Sequence, residues 1–381
     1  MAPLLLGRPA PWFAAPTHSN PGFAFSSLGG RYVLLIFLPA DTGAAATLMS
    51  AVLARASGFK VDGTMCFFVA SDPAHFAAQA ETAAIRWFLD QDGEVRRLYG
   101  ALDATGAEHC HWLLVDPSIR TIARGGLDDL PGMFAVLSRL PAPDNHAGTP
   151  LHAPVLIAPR IFEPALCRRL IDYYEAKGGT RSGVMMEIDG KTVGVLNDFK
   201  SRRDAMIEDE ALRAEIRRCI GVRLIPEIRK SFQYNATRME RYIVAAYDAA
   251  EGGCFLAHRD NTTAGTAHRR FACSINLNAE EFEGGDLRFS EFGSRTYRPP
   301  TGGAVVFSCS LLHEATRVTR GRRYAFLPFF YDEAAAQIRE ANAHTLGDPG
   351  AGAEPGIATQ ESPPRRHGPG DKGLLARHRR V

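Results

Sequence analysis

His258-Arg-Asp260, then His313 53 residues past the aspartate, then Arg323 ten residues further on, form a constellation whose residue types and spacing amount to chemistry. Two imidazoles and one carboxylate are a ligand set that holds Fe(II) by one face and leaves the opposite face open to reactants. A closed structural site would need a fourth protein ligand. His258 and Asp260 stand two apart in an extended run, so their side chains are expected to share a face, while His313 must come from another strand. Arg323 adds a fixed, fork-shaped cation suited to the distal carboxylate of a dicarboxylate co-substrate. Buried without such a partner it would be costly, so the pocket is expected to be poorly formed when empty. Each residue alone has an ordinary explanation; strand context, order and spacing together carry the reading.

The elements that must position these residues are short strands separated by turns: 242–247, 255–258, 271–277, 286–289, 304–307 and 323–330. Many short strands with Gly-rich turns predict an antiparallel jelly roll, a double-stranded β-helix. Distant strands face one another across its mouth, which lets His313 complete the triangle. Upstream, residues 166, 170, 173 and 174 fall at helical spacing within 162–174, and a second helix is expected over about 208–231. The β-rich domain with flanking helices is expected to run over 151–335.

Residues 1–141 have a different texture. Arg31-Tyr-Val-Leu-Leu-Ile-Phe-Leu38 and Met65-Cys-Phe-Phe-Val-Ala70 are continuous apolar runs of the kind found in buried strands. Helices are expected over 44–55, 73–82 and 130–140, and a hairpin over 112–123 with Asp116-Pro-Ser as its turn. A βαβ start that finishes in a hairpin and a helix reads as an α/β thioredoxin-like domain. Residues 142–150 are Pro-, Gly- and polar-rich and read as a linker; 345–381 read as a disordered basic tail.

A formal net charge of +2 gives no reason to expect a nucleic-acid partner. The apolar run at Met1-Ala-Pro-Leu-Leu-Leu is too short for a signal peptide, and no stretch approaches a membrane span, so the expected location is cytoplasmic. Seven cysteines (66, 110, 167, 219, 254, 273, 309) are scattered, without a C-x-x-C pair, and read as buried free thiols.

From Arg241-Tyr-Ile-Val-Ala-Ala-Tyr247 through Phe255-Leu-Ala-His-Arg-Asp-Asn261, Phe271-Ala-Cys-Ser-Ile-Asn-Leu-Asn278, Glu283-Gly-Gly-Asp-Leu-Arg-Phe289 and Gly302-Gly-Ala-Val-Val-Phe307 to His313 and Arg323, the sequence resembles the prolyl-4-hydroxylase-like branch of the Fe(II)/2-oxoglutarate dioxygenases. The resemblance implies iron ligands at His258, Asp260 and His313 and a 2-oxoglutarate contact at Arg323. It places Tyr247 and Asn276 beside the co-substrate. It further implies O2 as co-substrate, succinate and CO2 as products, and ascorbate as a reductant. Halogenating relatives lack the acid, so Asp260 favours hydroxylation. Peptidyl proline is the first substrate the resemblance suggests, with other peptidyl side chains and small molecules also open. Lys200-Ser-Arg-Arg-Asp204 and Ala267-His-Arg-Arg270 put cations near the expected barrel mouth and favour an acidic substrate, with ordinary surface charge as the alternative.

The segments Leu6-Gly-Arg-Pro-Ala-Pro-Trp-Phe13 and Leu28 to Asp41 resemble the start of a peroxiredoxin. That family would carry a thiolate about seven residues after Pro39, in the first turn of a helix; this chain reads Thr42-Gly-Ala-Ala-Ala-Thr47 there. The family's activating arginine is replaced near Cys110. The expected role is therefore non-catalytic: a docking surface, a homodimerisation element, or part of the substrate site. An alternative for the whole chain is an oxygen- or 2-oxoglutarate-responsive binding module using the same metal site. A thiol peroxidase is disfavoured.

Overall fold

The computed structural model describes residues 5–77, 79 and 81–347. Its packing divides the chain into two units, the first running through Ala153 and taking in Ser290–Ser294, the second starting at Pro154. The division falls three residues past the expected linker. The tail expected over 345–381 lies, past Gly347, outside the described residues.

The first unit is built on β1 (Tyr32–Phe37), α1 (Thr42–Leu53), β2 (Thr64–Ala70), β3 (Ile85–Leu89), β4 (His111–Val115), β5 (Thr121–Gly126) and α2 (Leu130–Leu137). The sheet order is β3-β2-β1-β4-β5, with β1, β2 and β3 parallel and β4 and β5 antiparallel, a thioredoxin-like arrangement. Every residue of central β1 is buried, because both faces of the strand are covered. Val33, Leu35 and Phe37 enter one apolar cluster and Tyr32, Leu34 and Ile36 the other. Asp41 caps α1 by accepting from the Ala44 N–H at 2.7 Å. Two expectations are corrected here. Among the described residues the helix expected over 73–82 covers Pro73–Ala77, and Ile85–Leu89, for which no strand is expected, adds a third parallel strand whose Ile85, Trp87 and Phe88 are buried.

The second unit contains α3 (Pro164–Lys177), β6 (Arg203–Met206), α4 (Glu210–Arg223), α5 (Ile225–Phe232), β7 (Ile243–Asp248), β8 (Cys254–His258), β9 (Phe271–Asn276), β10 (Ala304–Ser308), β11 (His313–Ala315), β12 (Arg322–Phe326) and β13 (Phe329–Tyr331). The single helix expected over 208–231 is two, broken at Leu224, because Pro226 supplies no N–H to continue the ladder. Pro328 likewise splits the expected strand 323–330 into β12 and β13. A hairpin pairing Val184–Ile188 with Lys191–Val195 and a helix at Glu333–Ala341 were not anticipated from the sequence.

The larger sheet of nine strands runs from Arg238–Glu240 through β13, β9, β12, β7 and β6 to Thr180–Arg181, with β10 paired to β9 and Leu156–Ala158 to β10. Its strands alternate strictly. Val244, Ala246, Cys273, Ile275, Tyr324 and Phe326 pack under α3, α4 and α5, against Leu166, Leu170, Ile216 and Ile220. Each such fully buried aliphatic side chain contributes roughly 1.5–3 kcal/mol of transfer free energy. The opposite face carries Tyr247, Ser274 and Arg323. A smaller sheet, Lys200–Ser201, β8, β11, Leu287–Arg288 and Thr296–Tyr297, supplies the second wall. Side chains from both sheets line one cavity. This is the jelly-roll architecture with flanking helices that the strand pattern predicts.

Candidate metal centre

His258 and His313 are cross-strand partners, the last residue of β8 opposite the first of β11. Asp260 is not on the strand; it sits two residues past the end of β8, where its N–H donates to the Cys309 carbonyl at 3.0 Å. The carboxylate nevertheless reaches both rings, with Oδ1 3.7 Å from His258 Nε2 and Oδ2 3.3 Å from His313 Nε2. One potential ligand atom from each residue lies within 4.8 Å of the other two.

The backbone sets which ring nitrogen faces inward. His258 Nδ1 donates to the Leu256 carbonyl at 2.7 Å and His313 Nδ1 to the Leu311 carbonyl at 3.0 Å. A carbonyl can only accept, so the proton sits on Nδ1 and the Nε2 lone pairs point into the cavity. Burial, then the neighbouring His313, pulls the His258 pKa down to about 3, which keeps that imidazole neutral. Burial opposes ionisation of Asp260, but His313, with Arg269 and Arg241 further off, outweighs it and holds the carboxyl below its ordinary range. Phe255 stacks on His258 and Phe307 meets His313 edge-on at 4.5 Å, which fixes both rings. Arg259, between the two ligands, turns away and donates to the Ser310 carbonyl.

Arg323 begins the inner face of β12 and is 3% exposed. Its Nη2 donates to Ser274 Oγ at 2.7 Å and its Nε to Asn276 Oδ1 at 3.3 Å. Its guanidinium carbon sits 5.1 Å from the centre of the Tyr247 ring. Nη1 is buried with no hydrogen-bond partner among the described residues. Burial works against the charge, lowering the arginine's pKa, and no carboxylate pairs with it among the described ion pairs. Gly285, at φ +68°, leaves room for this arginine, since a Cβ there would stand 3.2 Å from Arg323 Cδ and 2.8 Å from Val318 Cγ2. Neutral groups and an aromatic face thus hold the guanidinium in place.

The donor set fits Fe(II). The inward-facing Nε2 atoms of His258 and His313 and the Asp260 carboxylate occupy one side, and the open Nη1 of Arg323 suits the far carboxylate of a 2-oxo diacid. Tyr247 and Asn276 both lie against Arg323. The sequence reading missed Ser274 and Arg241 as lining residues. Ser274 was recoverable: it stands two residues before Asn276 on one strand and so shares its face. Arg202, flagged only as one of a group of cations, also lines the cavity. In the first unit, residue 46, where a peroxidatic thiol is expected, is an exposed alanine on α1. All seven cysteines are free; six are buried, and burial raises the half-buried Cys110 thiol to about 11.

The AhpC/TSA family model matches residues 6–122. A PKHD-type hydroxylase from Cupriavidus metallidurans is 28% identical over 144 residues, which cover 35% of this chain and 61% of that protein. The chain therefore spans less than two thirds of the length of this curated relative. A prolyl hydroxylase from Trichoplax adhaerens, solved with a peptide fragment of the hypoxia inducible factor oxygen degradation domain, overlaps with TM-score 0.36 at 15% identity, covering 52% of this chain and 89% of that one. The mitochondrial 2-Cys peroxiredoxin of Plasmodium falciparum overlaps with TM-score 0.31 at 14% identity, covering 35% and 92%. Both overlaps are weak, and the fold rests on the chain's own strand order. The chain joins an N-terminal peroxiredoxin-like domain of thioredoxin fold to a jelly-roll domain similar to the hydroxylases of the 2-oxoglutarate/Fe(II) oxygenase type.

Proposed function

We propose that the second unit is an Fe(II)- and 2-oxoglutarate-dependent dioxygenase that hydroxylates a C–H bond of a small-molecule or peptidyl substrate and releases succinate and CO2. The observation that carries this reading is the convergence of His258, Asp260 and His313 ligand atoms within 4.8 Å, in one cavity with the buried Arg323. Fe(II) bound there supplies the one-oxygen oxidation of a C–H bond by O2, coupled to decarboxylation of 2-oxoglutarate.

The protein's own residues do the positioning. His258, Asp260 and His313 hold the metal by one side. Arg323, braced by Ser274 and Asn276 and backed by Tyr247, receives the distal carboxylate. Leu287, Phe307 and Leu327 form apolar walls that limit water around the reacting centre. Ascorbate serves as an external reductant in this reading. The first unit, with no thiol in its expected place, acts as a scaffold. Succinate release from 2-oxoglutarate under Fe(II) and O2, lost in His258→Ala, is the test.

A further inference from the structure

Arg202 and Arg241 line the cavity that holds His258, Asp260 and His313, and neither donates to Ser274 or Asn276, the two side chains that hydrogen-bond Arg323, among the described hydrogen bonds. Both guanidiniums converge on a single oxygen: Arg202 Nη2 is 2.6 Å and Arg241 Nη2 3.6 Å from Asp204 Oδ2. That one carboxylate neutralises only one of them. Arg202 is 6% exposed, and its Nε has no hydrogen-bond partner among the described residues. Its remaining contacts are neutral, Ser182 Oγ at 3.2 Å and the Tyr247 hydroxyl at 3.4 Å. Arg241 holds φ +67°, a backbone conformation disfavoured for any residue with a β-carbon. Three other arginines of this domain each have a nearby carboxylate of their own: Arg298 with Asp286, Arg288 with Glu314, Arg203 with Glu251.

The uncompensated charge is not met by the co-substrate. In the dioxygenase reading, the two negative charges of 2-oxoglutarate and the one on Asp260 are balanced by Fe(II) and Arg323. A net positive charge remains at Arg202 and Arg241. Guanidiniums grouped in a low-dielectric cleft concentrate anions and bind oxyanions in a directed way.

We propose that Arg202 and Arg241 receive an oxyanion carried by the primary substrate, a carboxylate or a phosphate, so that the C–H bond presented to the metal centre belongs to an anionic molecule. This rests on the dioxygenase reading and adds the substrate class to it.

The test uses the full chain loaded with Mn(II) and saturating 2-oxoglutarate, titrated calorimetrically with acetate and, separately, inorganic phosphate. The variants are Arg241→Met and the charge-balanced pair Arg202→Met with Asp204→Asn; should the buried pair fail to fold, Arg241→Met carries the test. One probe is expected to bind the wild-type protein once, and at least tenfold more weakly in the variants, with 2-oxoglutarate affinity changed less than twofold. Whichever probe binds identifies the oxyanion. The proposal is overturned if neither probe binds the loaded wild type, or if the variants bind as the wild type does. It is also overturned if 2-oxoglutarate affinity falls in parallel, which would put these arginines in the co-substrate site. A wild type that takes up neither Mn(II) nor 2-oxoglutarate sinks the dioxygenase reading itself.

Discussion

Tyr247 and Arg323 stand opposite one another on paired strands β7 and β12, and the guanidinium lies over the ring at 5.1 Å from its centre. An aromatic face, a hydroxyl from Ser274 and an amide oxygen from Asn276 hold a buried cation that has no carboxylate of its own. The arrangement leaves Nη1 for an incoming anion.

Arg323→Met is expected to weaken 2-oxoglutarate binding roughly a hundredfold, since a charged hydrogen-bonded pair in a dry site is worth a few kcal/mol. Ser274→Ala strands one guanidinium nitrogen and loosens the arginine, and should cost about 1–3 kcal/mol of affinity, roughly 5- to 150-fold. Calorimetric titration of the Mn(II) form reads both. Unchanged affinity in Arg323→Met removes this residue from the co-substrate site.

Acid stability should depend on Glu240. Burial would raise its pKa, but a hydrogen bond with His268 and the charge of Arg269 hold it down to about 2, against 4.5 for an unperturbed glutamate. A depressed carboxyl stabilises the fold fully above about pH 4.5 and loses that contribution as pH falls toward 2. The contribution is on the order of 3 kcal/mol. Denaturation midpoints of wild type and Glu240→Gln, followed from pH 6 to pH 3, should converge as pH drops. A constant gap contradicts the assignment.

Peroxide should leave the thiols intact. Burial raises Cys66 and Cys273 above the ordinary thiol range and pushes Cys110 up to about 11, so almost no thiolate exists at these three positions at pH 7, and the other four thiols are buried from reagent. Free-thiol counts on the native protein are expected to stay at seven after brief millimolar peroxide; rapid loss of one would restore the peroxidase reading.

Much of this site was legible because its residues obey period two. The resemblance singled out Tyr247, Asn276 and Arg323, and alternation along the strand then puts Ser274 on the same face as Asn276. Other features were not. Asp260 has the sequence spacing of a strand neighbour, yet the strand ends at His258 and a turn delivers the carboxylate, because Asp260 N–H bonds the Cys309 carbonyl across the chain. Arg241 reaches the cavity only through a left-handed backbone that no local pattern announces. The break at Leu224 was readable in Pro226, whereas Ile85–Leu89 is too short to signal a strand without its parallel partner β2.

The most direct measurement is 2-oxoglutarate turnover by the purified full chain with Fe(II), O2 and ascorbate, followed as succinate. Wild type is expected to release succinate, and His258→Ala to fall at least a hundredfold while keeping its fold by circular dichroism. No succinate from a wild type that binds Fe(II), or undiminished release by His258→Ala, contradicts the account.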